Sequence, residues 1–333
     1  MTMTLLLIAL VAGAASAVMF ASIASGAVLS LLLFYLAPLP LMVVGLSWGP
    51  LVALIGAVAA CIGIGVFFSF SYIAAFGLTV GMPAWWLARQ ALLGRPAPQT
   101  SAELPADVAK AQAEAQSPGA IEWYPVGRLV LWAAVFAVLT TASALFTLGS
   151  DEASITATLK QGLTRIMGIR ADSPVSPETD RVLDALVGVA PAAGAAIALL
   201  TLTINLWLAG KIAATSGRLQ RPWPVLRMFD LPPMTLAALS LAIALAFMGG
   251  LLGIIAQIVT AALMGAYALV GFATLHVVTM ALKGRMLWLS SVYAGVLVFG
   301  WPIVLMIALG LTDAILGLRQ RYLRRQSVPT IHS

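Results

Sequence analysis

Charge is scarce in this chain. Lys, Arg, Asp and Glu make up 9% of 333 residues, where a soluble globular chain carries roughly 25%. That is too little polar material to cover a water-facing surface. Histidine occurs twice, as His276 and His332, and no His/Cys/Asp/Glu cluster has metal-ligand spacing. No metal, cofactor or metal-dependent chemistry is expected. A Walker A pattern is missing, and without predicted strands there is no strand-borne phosphate loop. The one cysteine, Cys61, lies in an apolar run. An internal disulfide is therefore excluded, and Cys61 reads as a small packing residue. Carboxylates are absent from the middle of the apolar runs, which argues against ion-coupled transport. These absences together predict a protein that is not an enzyme.

Long hydrophobic runs are abundant. Hydrophobic residues reach 61% and mean hydropathy is +1.02. The runs between charge clusters are about 20 residues long, enough to cross a hydrocarbon core about 30 Å thick. They are continuously apolar instead of alternating, so they predict helices and not barrel strands. The fold class expected is all-α: a polytopic transmembrane helical bundle of about eight helices, with nine as the alternative. The lipid bilayer is its first partner. Formal net charge is +6, and Arg and Lys gather at helix ends. This basicity reads as membrane orientation and not as nucleic-acid binding.

Four closely spaced helices are expected within 1–93, at about 3–23, 26–47, 49–69 and 72–93, with Pro38, Pro40 and Pro83 as kinks. Residues 1–26 resemble a signal peptide but lack its positive n-region, so they read as a retained first helix. A polar connector, 94–123, follows, with one short helix near 106–116. The C-terminal membrane segment, 124–318, holds helices at about 124–148 and 182–210, a short one at 234–248, and long ones at 251–282 and 286–315. Ile155, Leu159, Leu163, Ile166 and Ile169 fall at helical spacing, which predicts an amphipathic surface helix near 155–170. A basic tail, 319–333, ends the chain. One integrated membrane domain is expected.

Arg and Lys favour the cytoplasm. The loop at 211–230 and the tail both satisfy that rule, yet three helices lie between them. The simplest repair makes 234–248 re-entrant, giving eight crossings with both termini cytoplasmic. Its cost is that Lys283 and Arg285 face outward.

Polar residues deep in apolar helices are expensive and mark candidate sites. Three stand out: His276, Asn205 and Gln257. They are candidate contacts for a small, largely apolar ligand, with an interhelical hydrogen bond as the bland reading of His276. His276 and Gln257 are 19 residues apart on one expected helix, about 28 Å at 1.5 Å per residue, so one compact ligand cannot touch both. Gly13, Ala17 and Ala21 form a stripe of small residues on the first helix. Such stripes let helices approach closely, either within the bundle or against a membrane-protein partner.

Residues 36–65 (LAPLPLMVVGLSWGPLVALIGAVAACIGIG), 271–285 (GFATLHVVTMALKGR) and 309–321 (LGLTDAILGLRQR) together resemble the YybS-like family of predicted bacterial membrane proteins, a domain of unknown function. The first string is also similar to the equivalent region of S components of energy-coupling-factor vitamin transporters. That likeness implies an S-component-like bundle in the bacterial inner membrane. It also implies docking of the first helix on a coupling protein through positions matched here by Gly13, Ala17 and Ala21. The chain departs from those components in having more helices, a 29-residue polar insert and no polar binding loop. Relatives of that fold include a shape-determining scaffold. The resemblance therefore implies either small-molecule binding in the manner of a transporter's substrate-binding component or a non-catalytic scaffold in envelope assembly.

Overall fold

The structure is a computed structural model that describes residues 2–96, 121–169 and 176–327. The four N-terminal helices fall where hydropathy places them. Helix α1 (Met3–Ala21) continues into a 3₁₀ turn, α2 (Val28–Leu36) and α3 (Pro38–Trp48) form one kinked span, and α4 is Pro50–Phe67. The fourth span is α5 (Phe70–Phe76) joined to α6 (Met82–Ala91) by a π turn, Gly77–Gly81. Pro83 has no N–H for the carbonyl one turn back, and the helix widens just ahead of it.

The proline pair breaks α2 from α3 and exposes carbonyls to side-chain donors. Ser16 Oγ donates to the Ala37 carbonyl at 2.6 Å, and Asn205 Nδ2 to the Tyr35 carbonyl at 2.8 Å. Carbonyls freed in a membrane helix must find such partners, since lipid offers none.

A two-stranded antiparallel ribbon, β1 (Gly94–Pro96) with β2 (Ile121–Trp123), brackets the connector. It departs from the all-helical expectation. Three residues per strand are too few for a period-2 pattern to register, and the pairing follows from the ends of two neighbouring helices being brought together. Arg95 and Glu122 pair across it at 2.8 Å. The short helix expected near 106–116 lies outside the described residues.

The C-terminal part contains α7 (Val126–Phe146), α8 (Glu152–Ile166), α9 (Pro177–Thr215), α10 (Met234–Ala246), α11 (Gly250–Val278), α12 (Arg285–Phe299), α13 (Ile303–Leu316) and α14 (Leu318–Ser327). Helix α8 starts with a capping box: the Asp151 carboxylate accepts from the Ser154 N–H, and Ser154 Oγ accepts from the Asp151 N–H. Ile155 is fully buried against the bundle, while Ile166 is exposed. Lys160 ties α8 to Asp180 and Asp184 on α9 at 2.7 and 2.6 Å. Helix α9 has 39 residues, about 58 Å, and so outruns the hydrocarbon core.

Seven helical segments among the described residues are long and apolar enough to cross a membrane. The expected span 286–315 is not among them. It is broken at Gly300-Trp301-Pro302 into helices of 15 and 14 residues, with Gly300 at φ +71°. A left-handed glycine next to a proline ends the first helix and starts the second.

Several loops and helix ends meet at one end of the bundle. Gln220 donates to the Ser47 carbonyl, and Arg221 to the carbonyls of Ala91 and Tyr124. Arg285 lies on His276, and Arg319 returns to the carbonyls of Arg227 and Phe229. Leu5 and Ile8 of α1 pack in the same small cluster as Trp48 and Val52. Four cation–π pairs gather here: Arg89 on Trp86, Lys211 on Trp223, Arg218 on Trp48 and Arg221 on Trp123. We refer to this as the basic end.

Helix α10, with 13 residues, is too short to count among the helices able to cross a membrane, and its Leu236, Leu239 and Ile243 pack with Tyr267, Leu263 and Val259 of α11. Lys283 and Arg285 lie at the same end as the 211–230 loop. The last expected span is the broken pair α12–α13, neither of which is long enough to cross alone.

Candidate functional site

A cleft of about 620 Å³ opens at the basic end between α7, α9, α11 and the loop after α9. Its apolar wall includes Leu129 and Val130 of α7, Leu200, Ile204 and Trp207 of α9, and Leu269 and Phe272 of α11. Its polar rim carries Arg221, Arg227, Trp223, Tyr293 and His276. This volume falls in the range of sites for drug-sized ligands, and an apolar wall with a few convergent polar groups is their usual make-up. Leu200, Ile204 and Trp207 remain 38%, 50% and 46% exposed. The wall they form is therefore open on the outer face of α9.

His276 is positioned by α11 and held from two sides. Its Nε2 is 2.9 Å from the Tyr293 hydroxyl, and an Arg285 N–H lies 3.4 Å from Nδ1. Arginine can only donate. Nδ1 is therefore the acceptor and Nε2–H donates to Tyr293, which assigns the neutral tautomer. Tyr293 in turn stacks on Phe272, with ring centres 5.1 Å apart. This stacking and the two contacts at His276 join α12 to α11.

Of the three polar candidates, only His276 lines the cleft. Asn205 is buried behind it, with Nδ2 shared between the Tyr35 and Thr201 carbonyls. Asn205 does not line this cleft; its Nδ2 holds a carbonyl that the proline-broken α2–α3 turn exposes, while its buried Oδ1 has no partner among the described residues. Gln257 lies half-buried toward the far end of α11, and α11 is one continuous helix through both Gln257 and His276. It belongs to no site shared with His276.

The small-residue stripe is turned inward. A Cβ on Gly13 would collide with the Gly56 carbonyl of α4, and one on Gly56 would collide with the Ala9 carbonyl. Ala17 packs against the core, and Ala21 is half-buried at the end of α1. The docking face expected at Gly13 is already taken by α4. Lipid-directed α1 residues are instead Val11 and Val18. Equally close crossings occur where Gly310 of α13 meets the Tyr267 carbonyl and Gly271 of α11 meets that of Met306.

A second cavity, of about 560 Å³, sits beside a buried ion cluster that sequence reasoning missed. Arg319 bonds Asp313 at 2.6 Å, pairs with Asp230, and donates to the Arg227 and Phe229 carbonyls. The Arg319 backbone N–H also donates to Asp313, at 2.8 Å. Every strong group there is satisfied by the chain itself, so this is a fastening of the C-terminal helix. In the cleft the opposite holds. Arg221 and Arg227 face it without a carboxylate in the lining, and Arg221 Nε is buried with no partner. Burial pulls the Arg221 pKa below the ordinary arginine value. The one sequence signal for this rim is the Arg221-Pro222-Trp223-Pro224 run, an aromatic and a cation fixed between prolines.

Among the described residues no three His, Cys, Asp or Glu side chains come together to hold a metal. Comparison with protein-family models, with curated proteins and with solved structures finds no match.

Proposed function

We propose that this is a multi-pass protein of the bacterial inner membrane that holds a small, largely apolar molecule in the cleft beneath His276. The observation that carries the reading is the cleft itself: its apolar wall on α9 is exposed at Leu200, Ile204 and Trp207, and it meets a rim where His276, Tyr293 and two tryptophans converge. The basic end is the cytoplasmic one, with both termini on that side. Its support is the gathering of Arg and Lys there and the tryptophan–cation pairs typical of a membrane–water boundary. Docking of a partner through Gly13 is not part of this reading, because α4 occupies that face.

The test is purification in a mild detergent followed by native mass spectrometry. A bound small molecule should accompany the wild-type chain. Thr203→Phe, which fills the cleft from α9, should remove it while helix content and thermal stability persist. Retention of the same molecule by Thr203→Phe would overturn the reading.

A further inference from the structure

We infer that the occupant of the cleft is an anionic amphiphile drawn from the bilayer, its carboxylate or phosphate head on the Arg221–Arg227–His276 rim and its tail along α9. The inference rests on the proposed cleft-binding reading and adds the chemistry of the ligand.

Charge complementarity carries it. Three carboxylates are described at the basic end, and all three are engaged: Glu122 with Arg95, and Asp313 and Asp230 with Arg319. None lines the cleft. The rim therefore presents two guanidinium groups, one with a buried and unpartnered Nε. A guanidinium N–H left without an acceptor is expensive in a low-dielectric site, and an anionic oxygen is the acceptor that also balances its charge. Arginine presents a planar fork suited to carboxylate or phosphate. His276 has already given its Nε2–H to Tyr293, so it orients Tyr293 and bounds the head without competing for the anion.

Position decides the rest. A free inorganic anion would not need the apolar wall of Leu129, Val130, Leu200, Ile204 and Leu269. A neutral apolar molecule would leave the arginines unanswered. Trp207 and Trp223 stand between wall and rim, and tryptophan rings favour the headgroup level of a bilayer. The opening on the exposed side of α9 is a sideways entrance for a lipid chain.

The experiment uses the full chain in phosphatidylcholine nanodiscs, with hexadecyl phosphate, palmitate and hexadecanol as probes and native mass spectrometry as the readout. The two anions should bind at least about tenfold more tightly than the alcohol, the size of one charged hydrogen bond. Arg221 also holds the Ala91 and Tyr124 carbonyls, so its replacement could disturb the loop. Arg227→Gln is the informative variant, because its side chain is exposed. It should weaken hexadecyl phosphate by about tenfold. Arg218→Gln, the same charge change outside the cleft, should act within about twofold. Equal binding of hexadecanol would overturn the anionic head while leaving the cleft reading intact. Equal effects of Arg227→Gln and Arg218→Gln would reduce the attraction to general surface charge and also overturn it. Displacement of the probes by sodium phosphate alone would remove the amphiphile. Binding unchanged by Thr203→Phe would sink the cleft reading itself.

Discussion

Gly13 and Gly63 are both helical glycines of the N-terminal half, and they differ in what a methyl group would meet. At Gly13 it meets the backbone of Gly56, and at Gly63 nothing lies within 4 Å. Backbone cannot step aside as a flexible side chain can. Gly13→Leu should therefore lower stability in detergent by about 1–3 kcal/mol. Gly63→Ala should raise it by about 0.5–1 kcal/mol through the helical preference for alanine. Thermal unfolding of the two variants beside the wild type checks both signs. At His276 a small stability effect is expected. Interhelical hydrogen bonds in membranes average about 0.6 kcal/mol and reach about 1.7, so His276→Leu should unfold within that margin of the parent. Its larger effect should be loss of the co-purifying molecule. Asn205→Leu should show the reverse: lower stability, because the Tyr35 carbonyl loses its donor, with ligand retained. If Asn205→Leu lost the ligand at full stability, the assignment of Asn205 to the α2–α3 break would fail.

At the scale of elements, α14 is fastened to the bundle chiefly through Arg319. Its side chain and that of Asp313 are each 4% exposed. Removing one partner of a buried pair leaves a bare charge and costs about 3–5 kcal/mol, whereas replacing both with apolar residues is often close to neutral. Arg319→Met alone should thus release α14 to limited proteolysis and lower the unfolding temperature. Asp313→Leu combined with Arg319→Met should recover most of the loss. An additive double variant would show that the pair is not coupled. The break between α12 and α13 follows a different logic. Gly300 adopts φ +71°, so Gly300→Ala is strained where it stands, and Pro302 removes a donor from any continuous helix. Hydropathy averages over such a break and reports one span of 30 residues. Backbone chemistry records two short helices.

At the scale of the whole molecule, the out-and-back pairing of α10 with α11 puts Lys283 on the same side as Gly217. In a Cys61→Ser background, Gly217→Cys and Lys283→Cys should react with a membrane-impermeant maleimide only after the cells are opened, and Ser150→Cys in intact spheroplasts. If Lys283 and Ser150 label together, α10 does not reach the far end and the arrangement described here is wrong. Much of this architecture was legible in the chain. Helices at 3–23, 26–47, 49–69 and 72–93 and the division at Gly249-Gly250 needed only run length and glycine or proline punctuation, since lipid forces each apolar run to satisfy its own backbone. Arginine and lysine mark the 211–230 loop and the tail as sharing one side, while the same reading expects Lys283 and Arg285 on the other. Of the three polar candidates that the sequence marks, because a polar group in an apolar run is conspicuous, one, His276, lines the cleft.

What sequence could not determine is everything that depends on which helix faces which. The partner of the Asn205 Nδ2, a carbonyl in a proline-broken turn 170 positions away, cannot be read from the chain. Gly13 looked like a docking face until Gly56 filled it. Trp207 and Tyr293 carry no local mark of a site, and Arg221 only the Pro222-Trp223-Pro224 run beside it, because a cleft is a gap between elements and each of its walls reads alone as an ordinary helix face or loop. The sequence by itself therefore determined that the chain is a helical membrane protein, and where most of its long apolar helices lie, because those are local consequences of hydrophobicity. Only the tertiary structure decided the cleft, the buried Arg319 cluster and the close crossing at Gly13, because those arise from contacts between residues far apart in the chain.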